Sequence, residues 1–153
     1  MPIKLFIMDV DGVLTDGGMY YSENGDELKK FNTRDGKGIE LLRNVGIKTA
    51  IITSENTSIV KRRGEKIKID YIYQGIINKI EIIEELSTRL QIKFNEMAYI
   101  GDDINDVEVL NKVGFSACPN DAMELNKKCV KFICSLRGGE GCVREFIDKI
   151  ILK

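Results

Sequence analysis

The stretch Phe6-Ile7-Met8-Asp9-Val10-Asp11-Gly12-Val13-Leu14-Thr15-Asp16-Gly17 decides the fold of this chain. An apolar run over residues 3–8 predicts a strand buried on both faces, and the run stops at Asp9. Strands of open α/β sheets carry ligand sites at their carboxyl ends, so Asp9 and Asp11 are expected together at the mouth of a crevice. Neighbouring carboxylates repel each other, and Mg²⁺ is a hard cation that prefers oxygen ligands. A short Asp-x-Asp is also typical of a strand that ends in a polar turn; the longer pattern through Gly17 favours a metal site.

Length and composition bound the class of protein. The 153 residues are expected to form one domain, 1–153, and a hydrophobic content of 43% suffices for one core. With 23 basic and 24 acidic residues the net charge is -1, which gives no argument for nucleic acid or an anionic membrane as a partner. The sequence shows no apolar run long enough to span a bilayer and no secretory signal pattern. We therefore expect a cytoplasmic location.

Histidine and cysteine narrow the chemistry further. The chain has no histidine, which excludes Ser-His-Asp and Cys-His catalysis and histidine-ligated metals. Acid–base catalysis is left to carboxylates, lysine, tyrosine or cysteine. The four cysteines, at 118, 129, 134 and 142, lack the spacing of a zinc site and are interpreted as reduced thiols.

Strands and helices alternate along the rest of the chain. Further strands are predicted over residues 47–53, 70–73, 97–100, 115–117 and 130–133, and helices over 38–44, 58–67, 79–90, from after 106 to 113, 122–126 and 143–152. This alternation predicts a parallel sheet covered on both faces. Asn24-Gly25 between strand-like segments predicts a β-hairpin insert over about residues 18–31, projecting from the rim of the crevice.

Polar side chains follow three of the predicted strands. They are Asp9 and Asp11 after the first, Thr53 and Ser54 after the second, and Asp102, Asp103 and Asp106 after the 97–100 strand, with Lys79 at the start of a helix between the last two groups. Each group alone is also typical of ordinary structure: a solvated lysine, a strand end, or an aspartate that caps a helix. Together they supply carboxylates for a metal, a hydroxyl for an anion and a fixed positive charge. That set suits phosphoryl transfer.

In this order the groups resemble the four motifs of the haloacid dehalogenase-like phosphatases. The resemblance covers the whole chain and implies a Rossmann-like, three-layer α/β fold with a central parallel sheet. It also implies a small β-hairpin insert and no cap domain, because the segment between Thr53 and Lys79 is too short to hold one.

The resemblance implies a role for each residue. Asp9 would be the nucleophile that forms an aspartyl-phosphate, and Asp11 would protonate the leaving group and then activate water. Thr53 would bind the phosphoryl oxygens, and Lys79 would neutralise their charge. Asp102 would complete a Mg²⁺ site with Asp9 and the backbone carbonyl of Asp11.

Two further aspartates of the last motif, Asp103 and Asp106, would orient these ligands or Lys79.

Within that superfamily the chain resembles small, tetrameric, capless phosphatases that act on 3-deoxy-octulosonate 8-phosphate or on nonulosonate 9-phosphates. Four segments carry this resemblance: residues 9–17, 31–36, 73–75 and 137–141. It implies a homotetramer in which neighbouring subunits close the active site. The loop 137–141 with the terminal helix resembles a tail that closes over an adjacent subunit's site; a plain entry loop of that helix is the alternative.

The segment Thr53-Ser54-Glu55 bears on the substrate. The octulosonate branch typically reads Thr-Gly-Arg there, so Glu55 resembles the nonulosonate branch of sialic acid biosynthesis, whose substrates are phosphates of KDN or N-acylneuraminate. We expect Arg63 and Lys66 to bind the substrate carboxylate and Glu55 to accept hydrogen bonds from sugar hydroxyls; a solvated helix face is the alternative.

The main expectation is thus a Mg²⁺-dependent phosphatase of a nonulosonate 9-phosphate, with octulosonate 8-phosphate as the alternative substrate. A non-catalytic oligomerisation module, as found with sialic acid cytidylyltransferases, is the alternative of a different class. The presence of Asp9, Asp11, Lys79 and Asp102 argues against that module.

Overall fold

A computed structural model describes residues 2–151; Met1, Leu152 and Lys153, and the predicted extension of the last helix to Leu152, lie outside the described residues. Six strands form one parallel sheet in the order β5-β4-β1-β6-β7-β8, and two more form an antiparallel hairpin. The strands are β1 (Leu5–Met8), β2 (Tyr20–Tyr21), β3 (Glu27–Leu28), β4 (Lys48–Ile52), β5 (Tyr71–Tyr73), β6 (Met97–Ile100), β7 (Phe115–Cys118) and β8 (Phe132–Ile133). The predicted α/β fold with a parallel sheet is confirmed.

Within the described residues there are six α-helices, of which five connect strands and the sixth follows β8. They are α1 (Thr33–Asn44), α2 (Ser58–Lys66), α3 (Lys79–Leu90), α4 (Val107–Lys112), α5 (Glu124–Cys129) and α6 (Cys142–Ile151). The predicted first residue was wrong for two of these helices. Helix α1 begins at Thr33 rather than residue 38, because Asn32 caps it by accepting a hydrogen bond from Arg34 N at 2.8 Å. Helix α5 begins two residues later than predicted, at Glu124, and the last strand shortens to Phe132–Ile133.

The central strand β1 is buried on both faces, which explains its unbroken apolar run. Phe6 and Met8 pack on one face of the sheet, in a core that includes side chains of α1 and α6. Leu5 and Ile7 pack on the other face, against side chains of α3 and α4. Successive side chains of a strand point to opposite faces, so two helical layers are needed to cover β1. The result is three layers, helix–sheet–helix.

The hairpin is the only insertion that the described residues make between β1 and α1, and no cap domain is present there. Tyr20 pairs with Leu28 and Tyr21 with Glu27, a shorter pairing than the predicted insert of about 18–31 allows. Gly25 adopts φ +88° in its turn, a conformation that glycine adopts without strain. An antiparallel bridge between Thr15 and Phe31 fixes the base of the hairpin beside the loop that follows β1.

Within residues 2–151, no helix is both long enough and apolar enough to cross a membrane.

Candidate active site

Three strand ends meet at one edge of the sheet. Met8, the last residue of β1, pairs with Ile51 of β4 on one side and with Ile100 of β6 on the other. The polar residues that follow these strands therefore line one pocket of about 310 Å³. Its lining comprises Asp9, Asp11, Gly17, Thr53, Ser54, Glu55, Asp102, Asp103 and Asn105. The structure thus brings together residues from all three predicted groups that follow strands, after β1, β4 and β6.

Lys79 reaches the same place from the first turn of α3. Its Nζ lies 3.0 Å from Asp9 Oδ1 and 2.8 Å from Asp106 Oδ1, and the side chain is buried. Burial by itself would lower the pKa of Lys79, but the charges of Asp9 and Asp106 and their hydrogen bonds outweigh it and raise the pKa. The side chain is a permanent positive charge beside Asp9.

Asp106 is the buried hub behind the pocket. Its Oδ1 accepts hydrogen bonds from Lys79 Nζ and from the Tyr99 hydroxyl, and its Oδ2 accepts from the backbone N–H of Asp102 at 3.0 Å and of Asp103 at 3.3 Å. Four donors therefore fix one carboxylate. The contribution of Tyr99 was not predicted, because a tyrosine in a buried strand carries no sequence signal of a polar role.

Asp9 and Asp102 form the open part of a carboxylate cluster. Oxygens of Asp9, Asp102 and Asp106 all lie within 4.8 Å of one another. Burial, followed by the charge of Asp106, raises the pKa of Asp9 to about 7. Burial, followed by the charges of Asp9 and Asp106, raises the pKa of Asp102 to about 8. One lysine does not balance three carboxylates, so their full ionisation is unfavourable without a further cation, and a set of hard oxygen donors fits Mg²⁺.

Gly12 and Asp102 approach each other closely across this cluster. Gly12 adopts φ +83°, and a Cβ on it would lie 2.0 Å from Asp102 Oδ2. Thr15 holds the same turn, because its Oγ1 accepts hydrogen bonds from Gly12 N at 3.1 Å and from Gly17 N at 3.2 Å. The glycine and threonine of the pattern that follows β1 therefore shape the loop beside the carboxylates.

The loop 137–141 packs on this loop of its own chain. Gly139 N donates to Val13 O at 3.1 Å, and a Cβ on Gly138 would lie 2.0 Å from Gly12 O. Gly138 N also donates to Asp121 Oδ1 at 3.0 Å. The segment leads into α6, as an entry loop of that helix would. It also supports the turn that follows Asp11.

Asp11 has a cationic partner that was not predicted. Lys29, which follows β3 of the hairpin, places Nζ 2.7 Å from Asp11 Oδ1. The lysine lies in a run of polar and charged residues, and nothing in that run distinguishes it from Lys30.

Thr53, Ser54 and Glu55 lie at the pocket as expected from their place after β4. Thr53 is buried, and its Oγ1 accepts a hydrogen bond from Glu55 N at 3.3 Å. This turn leaves the Glu55 side chain partly exposed among the pocket-lining residues.

Arg63 and Lys66 are not brought to this pocket within one chain. Both line a separate pocket of about 460 Å³ between α1 and α2, together with Lys37, Arg43 and Lys68. Arg63 Nη2 donates to Asn32 O at 3.2 Å, and its guanidinium lies over the Phe31 ring. Helix α2 leads away from the end of β4, so these side chains face α1 instead of the carboxylates. A single chain gives no support to the predicted contact with a bound carboxylate.

Comparison with known proteins agrees with this geometry. The model of the haloacid dehalogenase-like hydrolase family matches residues 47–146. The 3-deoxy-D-manno-octulosonate 8-phosphate phosphatase KdsC of Escherichia coli K12 is 41% identical over 150 residues, which is 98% of this chain and 80% of the relative.

Two solved structures are similar over the same length. The 3-deoxy-D-manno-octulosonate 8-phosphate phosphatase of Yersinia pestis has a TM-score of 0.95 at 41% identity, over 98% of this chain and 81% of the other. That of Moraxella catarrhalis, in complex with magnesium, phosphate and KDO, has a TM-score of 0.95 at 37% identity, over 98% and 86%. The Moraxella relative therefore holds Mg²⁺, the cation that fits the carboxylate cluster described above.

Proposed function

The chain belongs to the haloacid dehalogenase-like hydrolases, in the capless KdsC family of phosphatases, and from that membership we propose that its substrate is 3-deoxy-D-manno-octulosonate 8-phosphate. The observation that carries the proposal is the 41% identity to phosphatases of this substrate over 98% of the chain. The relatives favour this alternative over a nonulosonate 9-phosphate, the expectation that rested on Glu55. The same kinship to phosphatases argues against a purely structural module.

The proposed reaction has two steps. In the first, a carboxylate oxygen of Asp9 attacks phosphorus, the phosphorus–oxygen bond to the sugar breaks, and Asp11 protonates the leaving oxygen. In the second, water attacks the aspartyl-phosphate while Asp11 accepts its proton, which releases phosphate and restores Asp9. Dividing the displacement in this way replaces one difficult step by two easier ones.

The other residues hold charge and position. Lys79, fixed by Asp106, neutralises charge that develops near Asp9, and Thr53 donates a hydrogen bond to a phosphoryl oxygen. Asp9, Asp102 and the backbone carbonyl of Asp11 would hold Mg²⁺, with Asp103 beside them. When bound, Mg²⁺ supplies charge neutralisation between the carboxylates and the phosphoryl group.

Among the described residues, the pocket of a single chain offers no lysine or arginine to bind the substrate carboxylate, so we expect this cation on a neighbouring subunit. We propose a homotetramer in which Arg63 and Lys66 of a neighbouring subunit face this pocket and Glu55 accepts hydrogen bonds from the sugar. All four cysteines are free, which is consistent with the cytoplasm as the proposed location.

Subunit complementation tests the shared site. Chains carrying Asp9→Asn and chains carrying Arg63→Ala are each expected to be weakly active with the sugar-acid phosphate. Mixed tetramers should regain activity, because some pockets then combine an intact Asp9 with an intact Arg63. Mixtures no better than their components would contradict the shared site.

The substrate is tested by measuring phosphate release with Mg²⁺ from octulosonate 8-phosphate and from a nonulosonate 9-phosphate side by side. The Asp9→Asn variant is the control for contaminating phosphatases. A higher kcat/KM for the octulosonate is expected. A preference for the nonulosonate would restore the reading based on Glu55.

A further inference from the structure

Two lysines of the site are withdrawn from solvent, and each is paired with one carboxylate of Asp9-Val10-Asp11. Lys79 and Lys29 both have side chains that are 1% exposed; the first lies 3.0 Å from Asp9 and the second 2.7 Å from Asp11. Lysine side chains are rarely buried unless they are paired. The hairpin therefore contributes to the catalytic loop a buried cation that no motif of the sequence indicates.

We propose that Lys29 is a positioning residue for Asp11, holding one carboxylate oxygen so that the other is presented to the reacting oxygen atoms. The proposal rests on the role of Asp11 in the proposed function. Lys29 does not line the pocket, and its ion pair in the catalytic loop is with Asp11 and not with Asp9. It would therefore act through Asp11.

The geometry divides the carboxylate of Asp11 into a held and an open oxygen. Lys29 Nζ lies on Oδ1 at 2.7 Å, and within residues 2–151 no hydrogen bond to Oδ2 is formed. The Asp11 side chain is 29% exposed and lines the catalytic pocket. Since a carboxylate on a flexible χ2 is otherwise free to rotate, the ammonium group restricts the orientation in which it meets the leaving group or the water.

The fold itself selects Lys29 over its neighbour. Lys30 is 56% exposed, and its nearest acidic partner, Glu140, is 3.8 Å away at the surface. The alternation of side chains along β3 and the bridge between Thr15 and Phe31 turn Lys29 inward and Lys30 outward. Glu27 Oε1, at 3.7 Å from Lys29 Nζ, adds a second carboxylate on the hairpin side and helps to retain the ammonium group.

The experiment compares Lys29→Met with Lys30→Met, using glycerol phosphate and Mg²⁺, because an alkoxide leaving group needs the proton of Asp11 and the result does not depend on the natural substrate. Lys29→Met is expected to lower kcat about 10- to 100-fold with KM little changed, the range typical of lost orienting contacts. Lys29→Arg should recover most of kcat, because it keeps a charged donor. Lys30→Met should behave as the unaltered protein.

A double-mutant cycle separates positioning from a structural effect. If Lys29 acts through Asp11, then Lys29→Met should cause no further loss in an Asp11→Asn background. An unchanged kcat in Lys29→Met, a rise in KM alone, or equal losses in the Lys29 and Lys30 variants would overturn the proposal. Failure of the unaltered protein to hydrolyse octulosonate 8-phosphate would count against the proposed substrate and leave this test intact.

Discussion

Lys79 and Asp106 form a buried ion pair, with Lys79 Nζ 2.8 Å from Asp106 Oδ1 and the two side chains 1% and 0% exposed. The pair joins the first turn of α3 to the segment after β6, and Lys79 also contacts Asp9. Burying two charges is costly, and the loss of one partner leaves the other uncompensated. The position of Lys79 beside Asp9 is therefore set by Asp106 in the folded chain.

Asp106→Asn is expected to lower the free energy of unfolding by about 3 kcal/mol, the lower end for a broken buried pair. An amide has only one acceptor oxygen, so its NH₂ group must face either Lys79 and Tyr99 or the backbone N–H groups of Asp102 and Asp103. Urea denaturation measures the change. Asp103→Asn is the control, because an exposed asparagine can still cap Ile104 N; equal effects of both variants would contradict the role of Asp106.

Asp102→Asn is expected to raise stability without Mg²⁺ and to abolish stabilisation by Mg²⁺. The substitution removes a partly buried carboxylate that is repelled by Asp9 and Asp106, and it also removes the proposed ligand of the cation. Thermal denaturation with and without Mg²⁺ checks both effects. The exposed substitution Glu108→Gln should keep the Mg²⁺ response. A full Mg²⁺ response in Asp102→Asn would show that the cation binds elsewhere.

Gly138→Ala is expected to lower kcat and to destabilise the protein by about 1–3 kcal/mol, as overpacking does. The new methyl group would meet the carbonyl oxygen of Gly12, which belongs to the backbone and cannot move without shifting the loop after β1 that carries Asp9 and Asp11. Steady-state kinetics and urea denaturation provide the two readouts. Glu140→Ala alters an exposed residue of the same loop and should leave both unchanged; a fully active Gly138→Ala would remove the bracing role.

Asp35 is expected to make stability depend on pH. Burial raises its pKa in the folded state to about 6, above the value of 3.8 in an unfolded chain, so between these values the folded state binds more protons. Stability should therefore fall by about 2 kcal/mol as pH rises from 4 to 6, and the fall should end above about pH 7.

The Asp35→Asn variant should lose most of this slope. Urea denaturation across that pH range, with Mg²⁺ present to compensate the carboxylates of the pocket, tests it against the exposed control Asp26→Asn. Equal slopes in Asp35→Asn and in the unaltered protein would contradict the assignment.

The sequence predicted the sheet and the pocket-lining residues where the signal was local. An apolar run followed by a carboxylate or a hydroxyl marks the end of a strand. The carboxyl ends of adjacent parallel strands lie at the same edge of the sheet, whatever the length of the segments that connect them. The predicted start of α1 was too late, and two residues of low helix propensity, Gly36 and Gly38, lie in the first two turns of the observed helix. A Cβ on Gly38 would lie 2.8 Å from Ile147 Cδ1, so this glycine permits close packing of α1 on α6.

Residues placed by tertiary structure were not predictable in the same way. Whether Lys29 or Lys30 turns inward depends on how the hairpin lies on the loop after β1. Arg63 and Lys66 follow the second motif closely in sequence, but the direction of α2 takes them to another pocket. Tyr99 contacts Asp106 only because β6 and the loop after it fold back on each other.

The close approach of Gly12 to Asp102 has an evolutionary consequence. A side chain at position 12 would meet the carboxylate of Asp102, so a larger residue there requires that the Asp102 side chain move or be shortened. We therefore expect the two positions to be coupled in evolution, with the effect of a substitution at position 12 depending on the residue at position 102.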